Sequence, residues 1–229
     1  MWVRSAVILA VVAAALGVLG TTWIAFPTES QADLVPPLVA FEPKQFTVTG
    51  HYSADFAALA RGFRPQAYRS FCGPASIATV LRAYNVESLD QRDVFPSLGF
   101  KVDTFYSGMS LAELAELAQH NGLQSELVYA DALTLDQFRE RITTNLAHEG
   151  DFVLVNYDRR VLKQSGAGHI SAVGAYDEAR DAFLVLDEAA YRYPFTWVPA
   201  TLLYKAVHTR ADKRYRGVLF VQSYRSPSG

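Results

Sequence analysis

The chain has a single cysteine, and the residues around it suit nucleophilic chemistry. Cys72 lies in the sequence FCGPAS, residues 71 to 76, where an apolar pattern of helical spacing begins. A thiol attacks as its thiolate, and the free N–H groups and positive dipole at a helix start lower the pKa of a thiol. Gly73, directly after the cysteine, leaves space for an incoming carbonyl group. We therefore predict that Cys72 is a nucleophile rather than a buried packing residue.

His169 and Asp187 are the residues that could activate this thiol. A cysteine nucleophile needs a general base, and the base needs a partner that orients it. His169 stands at the start of a predicted strand, whereas the other four histidines lie in polar or helix-end contexts. If strands 169–176 and 182–187 form a hairpin with the three-residue loop 177–179, His169 and Asp187 are paired across it, with Cβ atoms roughly 5 Å apart. Asp187 would then hold the imidazole tautomer.

Gln66 completes the set of predicted catalytic residues. An acyl-transfer site needs hydrogen-bond donors that face the developing oxyanion. The backbone N–H of Cys72 can supply one of them. Gln66 stands six residues before Cys72, near enough along the chain for its side-chain amide to supply another.

The helices that must position these residues follow from capping and periodicity. A helix is predicted from about Gly73 to Tyr84, which places Cys72 at its amino end. Two capping boxes begin further helices, one at 110–113 and one at 134–137. A fourth helix is predicted from Pro199 to His208.

The strands are predicted in the second half of the chain. Short segments rich in β-branched and aromatic residues, bounded by turn formers, lie at 152–157, 169–176, 182–187 and 217–224. Because helices come first and strands later, we predict an α+β fold. In it, a helical part carrying the cysteine packs against an antiparallel sheet carrying His169 and Asp187.

The amino terminus carries a membrane signal. Arg4 is followed by 22 residues without a charge, Ser5 to Phe26, and acidic residues come after them. This order favours a cytoplasmic amino end and a translocated body. We expect residues 1–26 to be a transmembrane anchor or a signal peptide, and small residues at 30–32 leave both alternatives open. The protein would be exported, either periplasmic or tethered to the inner membrane facing the periplasm.

The remainder of the chain is predicted to form one domain. Residues 27–40 are rich in Pro, Ser, Thr and acidic side chains, which is typical of a linker. Residues 41–224 contain no repeat and no second linker, so they are assigned to a single catalytic domain. Residues 225–229 form a short tail.

Composition argues against several function classes. The 229 residues carry a formal net charge of −2, which does not favour nucleic-acid binding, and Lys213, Arg214 and Arg216 are interpreted as a solvated loop. One cysteine can form neither an intrachain disulfide nor a thiolate zinc cluster. The spacing of the other residues predicts no fixed metal site.

Taken together, these residues resemble the papain-type cysteine peptidase clan, in which Gln, Cys, His and Asn or Asp follow in that order. Within the clan the chain is most similar to phytochelatin synthase. The resemblance rests on RPQAYRSFCGPAS at 64–76 and on the block at 156–207, which contains GHISAVGAYD and then YPFTWVP. It covers most of the chain from about Phe41 to Val221.

The resemblance implies acyl transfer from glutathione. Cys72 would take the γ-Glu-Cys acyl group, and His169 would protonate the departing glycine. The acyl group would pass to water, or to a second glutathione to give a phytochelatin used in metal detoxification. No cofactor is implied, because heavy-metal ions act in the family largely as glutathione–thiolate complexes, and a homodimer is left open. The substrate-binding residues implied are Gly73, Gly168, Arg159, Arg192 and Tyr193.

Two features depart from the plant members of that family. Those enzymes carry a further cysteine-rich domain and extra cysteines, so this chain resembles the bacterial half-length members, in which hydrolysis is expected to outrun polymerisation. Family members also commonly have an arginine three residues after the aspartate, thought to hold a substrate carboxylate. Ala190 occupies that position here. Arg159 and Arg192 are nearby candidates for the role.

Two alternative functions remain open. A bacteriocin-leader or general peptide-cleaving peptidase of the same clan shares a CGPA sequence after an upstream glutamine and a later Gly-His strand. The Trp197-Val198-Pro199 sequence favours phytochelatin synthase. A membrane-tethered thiol or metal-binding module without turnover is the other alternative, although one cysteine would make a poor metal buffer.

Overall fold

The computed structural model describes residues 34–41, 52–86 and 89–225. Its helices are α1 (Phe56–Gly62), α2 (Cys72–Ala83), α3 (Leu98–Ser107), α4 (Leu111–His120), α5 (Leu135–Leu146) and α6 (Ala200–Val207). Its strands are β1 (Val39–Ala40), β2 (Leu123–Tyr129), β3 (Phe152–Asp158), β4 (Gly168–Asp177), β5 (Ala182–Leu186), β6 (Thr196–Pro199), β7 (Arg210–Ala211), β8 (Arg214–Tyr215) and β9 (Gly217–Tyr224). Short 3₁₀ turns lie at Ala130–Ala132 and Arg159–Leu162.

Within the described residues, seven strands form one antiparallel sheet in the order β1-β6-β5-β4-β3-β9-β2. Strands β7 and β8 form a separate small hairpin. The strands that carry His169 and precede Asp187, β4 and β5, are neighbours in the sheet. The predicted α+β arrangement, with a helical part carrying Cys72 against an antiparallel sheet, is confirmed.

The sheet separates two hydrophobic cores. Strand β3 is buried along its whole length, and its side chains alternate between the two. Leu154 belongs to the core that contains the apolar side chains of α2 and α4, whereas Val153 and Val155 belong to the core beneath α5 and α6. Helices therefore cover both faces of the sheet. This fixes α2, with Cys72 at its start, on one face by apolar packing.

The predicted helices correspond to α2, α4, α5 and α6, and both capping boxes are present. Helices α1 and α3 were not predicted. Helix α1 is only seven residues long, and α3 buries a single side chain, Thr104, so neither has an extended apolar stripe. Strands β1, β2, β6, β7 and β8 were also not predicted.

The predicted register of the β4–β5 hairpin is wrong. That register pairs Ala172 with Leu184 and closes the loop at residues 177–179. In the structure Ala172 is paired with Leu186, and Asp177 with Ala182, so the loop spans 178–181. His169 is instead paired with Tyr157 on the other neighbouring strand, β3.

The position of the loop, at 178–181 instead of 177–179, accounts for the shifted register, and a bulge around Gly174 then changes the pairing by one residue. The pairing of β4 with β5 changes there, and Gly174 approaches Leu186 so closely that an added Cβ would lie 2.6 Å from Leu186 Cδ1. As a result Asp187 directly follows the last paired residue of β5. Its side chain, rather than a cross-strand pairing, brings it to His169.

Part of the predicted linker belongs to the sheet. Strand β1 pairs with β6, placing Val39 opposite Trp197, and Leu38 is buried. The sheet thus begins before Phe41. The membrane segment predicted at residues 1–26 lies outside the described residues. Of the residues that the structure does describe, no helix is both long and apolar enough to cross a bilayer.

Candidate active site

Cys72 is the first residue of α2 and lines a cavity of about 810 Å³, which His169 also lines. Among the described residues, no side chain caps this helix start. The first backbone N–H groups of the helix are therefore directed at the end where the thiol lies. The backbone N–H groups of Gly73 and of Ile170, the residue after His169, both act on the sulfur. The thiol is thus held between the start of α2 and strand β4.

Asp187 is the most heavily hydrogen-bonded side chain of the site. Its Oδ1 accepts from Arg159 Nη2 at 2.6 Å, from the backbone N–H of Ala189 at 2.8 Å and from His169 Nε2 at 3.0 Å. Its Oδ2 accepts from the Tyr157 hydroxyl at 3.2 Å. The carboxylate is 1% exposed, so its orientation is set by these donors rather than by water.

His169 is oriented by its contact with Asp187. Because Nε2 faces the carboxylate, Nε2 carries the proton, and Nδ1 is the nitrogen that can accept a proton from a thiol. The ring also packs edge-on against Tyr157, with centroids 5.6 Å apart. Asp187 thus orients His169 as an acid partner orients a general base, and Cys72 lines the same cavity as this ring.

The electrostatics of the site favour a neutral thiol and a neutral imidazole. Burial raises the pKa of the Cys72 thiol, and the N–H of Ile170 and the charge of Arg159 oppose that rise only in part. Burial, together with the Arg159 charge, lowers the pKa of His169 to about 4. The N–H of Gly73 at the helix start does act to lower the pKa of this thiol, but burial has the larger effect, so the net shift is upward.

The pKa of the Asp187 carboxyl is shifted in the opposite direction to that of an ordinary buried acid. Burial works to raise the pKa of the Asp187 carboxyl, but the Arg159 charge, followed by contact with His169, holds it below the usual range. Asp187 is consequently ionised at all physiological pH values. It can stabilise an imidazolium on His169 whenever the ring takes a proton from Cys72.

Residues 42–218 match the family model for phytochelatin synthase. The chain belongs to the phytochelatin synthase family. It is 32% identical over 191 residues to glutathione gamma-glutamylcysteinyltransferase 3 of Lotus japonicus. It is 29% identical over 215 residues to transferase 2 of Arabidopsis thaliana, and 28% identical over 189 residues to the transferase of Schizosaccharomyces pombe.

These alignments cover 76%, 85% and 76% of this chain but 39%, 47% and 45% of the relatives. The chain therefore spans less than half the length of the curated relatives it matches. Among solved structures, the peptidase domain of Streptococcus ComA, a bi-functional ABC transporter, is similar over 69% of this chain and 96% of that domain. The TM-score is 0.46 and the identity 16%.

Arg159 and Tyr193, expected from the family resemblance to bind substrate, lie behind Asp187 instead. The Arg159 side chain is 5% exposed, and it donates to Asp187 and, through Nη1, to Gln164. The Tyr193 ring lies 4.8 Å from the Arg159 guanidinium carbon, and its hydroxyl accepts from the backbone N–H of Ser165. The Arg159 charge is thus used to hold Asp187 rather than to meet a substrate carboxylate.

Gln66 and Arg192 lie on the loops beside the site. The Gln66 amide nitrogen donates to the Arg69 carbonyl at 3.0 Å and to the Tyr191 hydroxyl at 3.4 Å, and its backbone N–H donates to the Glu188 carbonyl. Gln66 therefore ties the loop before α2 to the segment after β5. Arg192 is partly exposed, and its backbone N–H donates to Ala189.

Gly73 and Gly168, the two glycines predicted to bind substrate, each have a close neighbour that leaves no space for a side chain, but the neighbours differ. Gly73 is buried, and an added Cβ would lie 2.7 Å from Met109 Sδ, so the space beside it is filled by methionine. Gly168 is exposed and lines the cavity, where an added Cβ would lie 2.5 Å from Arg216 Nη1. Gly168 therefore lets a guanidinium approach the strand that carries His169.

Arg216 is a charged cavity residue for which the predicted solvated position is wrong. It was grouped with Lys213 and Arg214 as part of a solvated loop, yet it is 8% exposed and lines the cavity. Its Nη1 donates to Asn156 and its Nε to Thr209. The signal that could have identified it is its position immediately before the buried strand β9, after a short hairpin.

The described part of the chain contains no group of three or more His, Cys, Asp or Glu side chains arranged to hold a metal ion. A second depression, bounded by α5 and β9, is lined by residues such as Glu126, His148 and Asp151. It shares no lining residue with the Cys72 cavity.

Replacing Arg159 tests its role in holding Asp187. Arg159→Met removes one partner of a buried ion pair and leaves the carboxylate without its cation, so we expect the free energy of unfolding to fall by about 3–5 kcal/mol. Urea unfolding followed by circular dichroism measures it. The matched control is Arg92→Met, whose pair with Asp90 is half exposed, and it should cost less than about 1 kcal/mol. Equal losses in the two variants would contradict the assigned role.

Alkylation of Cys72 tests the neutral resting state. A thiol whose pKa is raised is mostly protonated at neutral pH, so the rate of labelling by iodoacetamide should rise about tenfold per unit between pH 7 and 9. Mass spectrometry measures the label, and it reports Cys72 alone because the chain has one cysteine. A cysteine-containing peptide in the same buffers is the reference. A rate that is already constant below pH 7 would indicate a thiolate–imidazolium pair and contradict the pKa directions.

Proposed function

We propose that the chain is a cysteine acyltransferase and hydrolase that cleaves the Cys–Gly bond of glutathione. His169 takes the thiol proton as Cys72 attacks the carbonyl carbon of that bond. The C–N bond breaks, glycine leaves with the proton from His169, and a γ-Glu-Cys thioester remains on Cys72. Water then releases γ-Glu-Cys, or the amino group of a second glutathione takes the acyl group and forms a phytochelatin.

One observation carries this proposal. A member of the phytochelatin synthase family holds an ionised, fully buried Asp187 against His169, beside the cavity that contains its one cysteine. A buried carboxylate, an oriented imidazole and a thiol are the parts that acyl transfer through a thioester requires. The relatives that the chain matches are named for transfer of the γ-glutamylcysteinyl group of glutathione. The peptidase alternative has no comparable observation in its favour.

The charges of the cavity suit glutathione, which carries two carboxylates and one ammonium group. We assign Arg216 to one substrate carboxylate, because Asn156 and Thr209 hold two of its nitrogens and its guanidinium lies against Gly168 in the cavity. Asp103, Glu113 and Asp212 also line the cavity and supply negative charge for the ammonium.

Two donors are available for the oxyanion in this proposal. The backbone N–H of Cys72 lies at the uncapped helix start and is the first donor. Gln66 is the second, and it would contribute by exchanging its longer hydrogen bond, to Tyr191 at 3.4 Å, for one to the oxyanion. The bond to the Arg69 carbonyl would keep the amide in place meanwhile.

The cellular setting is part of the same proposal. The apolar segment at 5–26 supports export, with the site in the periplasm, either free or tethered to the membrane. Hydrolysis is proposed as the main outcome, and metal ions would enter as glutathione–thiolate complexes rather than as a resident cofactor. A homodimer is compatible with the site, since Cys72, His169 and Asp187 come from one chain.

Replacement of the nucleophile tests the proposal. The full chain in detergent is incubated with glutathione, and glycine and γ-Glu-Cys are measured by mass spectrometry. Cys72→Ser and His169→Asn should both reduce release of the two products to the uncatalysed background. His120→Asn, at an exposed helix end, is the matched control and should retain activity. Glycine release by Cys72→Ser at the wild-type rate would show that the nucleophile is elsewhere.

Replacement of Arg216 tests the assignment of the substrate carboxylate. Arg216→Met should raise KM for glutathione about 10- to 100-fold, the range expected when a charge-assisted hydrogen bond is lost. Arg214→Met removes an exposed charge from the neighbouring hairpin and should change KM far less. If the two substitutions raise KM equally, Arg216 contributes only to the overall positive charge near the cavity, and its assignment to a substrate carboxylate is wrong.

A further inference from the structure

Glu188 is a buried acid that the proposed reaction does not use. It follows Asp187 directly, and it is 0% exposed. Among the described residues, neither of its carboxylate oxygens has a hydrogen-bond partner. A buried polar atom without a partner costs free energy, and an ionised carboxylate in such a place costs far more. An acid at this buried position therefore needs a physical explanation.

The charged groups around Glu188 do not compensate an ionised carboxylate. Asp187, its neighbour in the chain, places a negative charge beside it, and Cys72 on α2 would become a second negative group on deprotonation. Arg82, also on α2, is a cation whose charge acts to lower the pKa of Glu188, but its Nη1 likewise has no hydrogen-bond partner among the described residues. Burial, with Asp187 adding to it, raises the pKa of Glu188 well above its usual range.

The Ser76 hydroxyl indicates which protonation state fits the site. Ser76 lies close enough for its hydroxyl to act on the Glu188 carboxyl, and a proton donated by that hydroxyl would lower the pKa of Glu188 against the larger effect of burial. Its proton, however, is directed to the Ile170 carbonyl, over 3.4 Å. With that proton in use, the Ser76 oxygen can only accept, and a protonated Glu188 carboxyl can donate to it whereas a carboxylate cannot.

These contacts connect the three elements that carry the catalytic residues. Glu188 extends from the end of β5, directly after Asp187. Ser76 lies one helical turn after Cys72 on α2, and Ile170 follows His169 on β4. A protonated Glu188 that donated to Ser76 would extend the bond from Ser76 to Ile170 into a chain across the junction between α2 and the sheet, on the buried side of the site.

We infer that Glu188 is held as a neutral carboxylic acid and acts as a positioning residue, fixing the helix of Cys72 against the strand of His169 through Ser76. This inference rests on the proposed function, since it concerns the geometry of the same thiol and imidazole. Ionisation of Glu188 would remove its donor and place a second negative charge beside Asp187. Deprotonation would therefore loosen the junction and disfavour the Cys72 thiolate.

The sign of the pH dependence follows from linkage. Because folding raises the pKa of Glu188, its contribution to stability is complete below the pKa of the unfolded chain and is lost as pH rises towards the folded pKa. Glu188→Gln is neutral at every pH. We therefore compare the melting temperature of this variant with that of the wild type at two pH values. The difference, variant minus wild type, should be about 5 °C larger at pH 9 than at pH 5. Glu116→Gln, the same charge change at an exposed position on α4, should show no such widening.

A second readout separates positioning from stability alone. The rate of Cys72 alkylation, and the rate of glycine release, are measured from pH 6 to 9 at a temperature where both proteins are folded. The ratio of the Glu188→Gln rate to the wild-type rate should rise at least about threefold over this range. A flat ratio for both reactions would overturn the positioning role. A melting-temperature difference that does not change with pH would overturn the neutral acid.

The experiment distinguishes this inference from the proposed function. Melting temperature and alkylation do not involve glutathione, so they decide the state of Glu188 even if no glycine is released. Absence of glycine release from the wild-type chain would overturn the proposed reaction alone.

Discussion

The buried carboxylate of Asp187 is the constraint on which the site depends. Because it is buried away from water, its hydrogen bonds must come from protein donors, and each donor lies in a different part of the fold. Tyr157 comes from β3, His169 from β4 and Arg159 from the 3₁₀ turn after β3. The sheet order that places β4 between β3 and β5 is therefore a requirement of the site as well as of the core.

The same constraint decides how the arginines are used. A carboxylate at 1% exposure is stable as an anion only with a cation beside it, so Arg159 is committed to Asp187 and packs on Tyr193. In the proposed function, a different cation must then meet the anionic substrate. Arg216 can do so because it is held from the side by Asn156 and Thr209, which leaves its guanidinium at the cavity.

Local chemistry determined what could be predicted from the sequence. Cys72 and its helix, the capped helices and the strands β3, β4, β5 and β9 follow from caps, periodicity and β-branched composition, which act within a few residues. The register of the β4–β5 hairpin did not follow, because it depends on a loop at 178–181 and on a bulge at Gly174, where the strand approaches Leu186 closely. Arg216 was missed for a related reason. Its burial depends on Gly168 and Asn156, which are distant in sequence.

The balance of charges explains why the resting site is neutral and still suited to attack. Arg159 stabilises Asp187 as an anion, but the same positive charge opposes an imidazolium on His169, so the charges of Arg159 and Asp187 act in opposite directions on the ring. Burial then favours the uncharged thiol of Cys72 and the uncharged imidazole. A proton moved from sulfur to Nδ1 creates two opposite charges next to each other. In the proposed reaction, the carbonyl that receives the sulfur would remove one of them, so the transfer would become favourable only when a substrate carbonyl is in place.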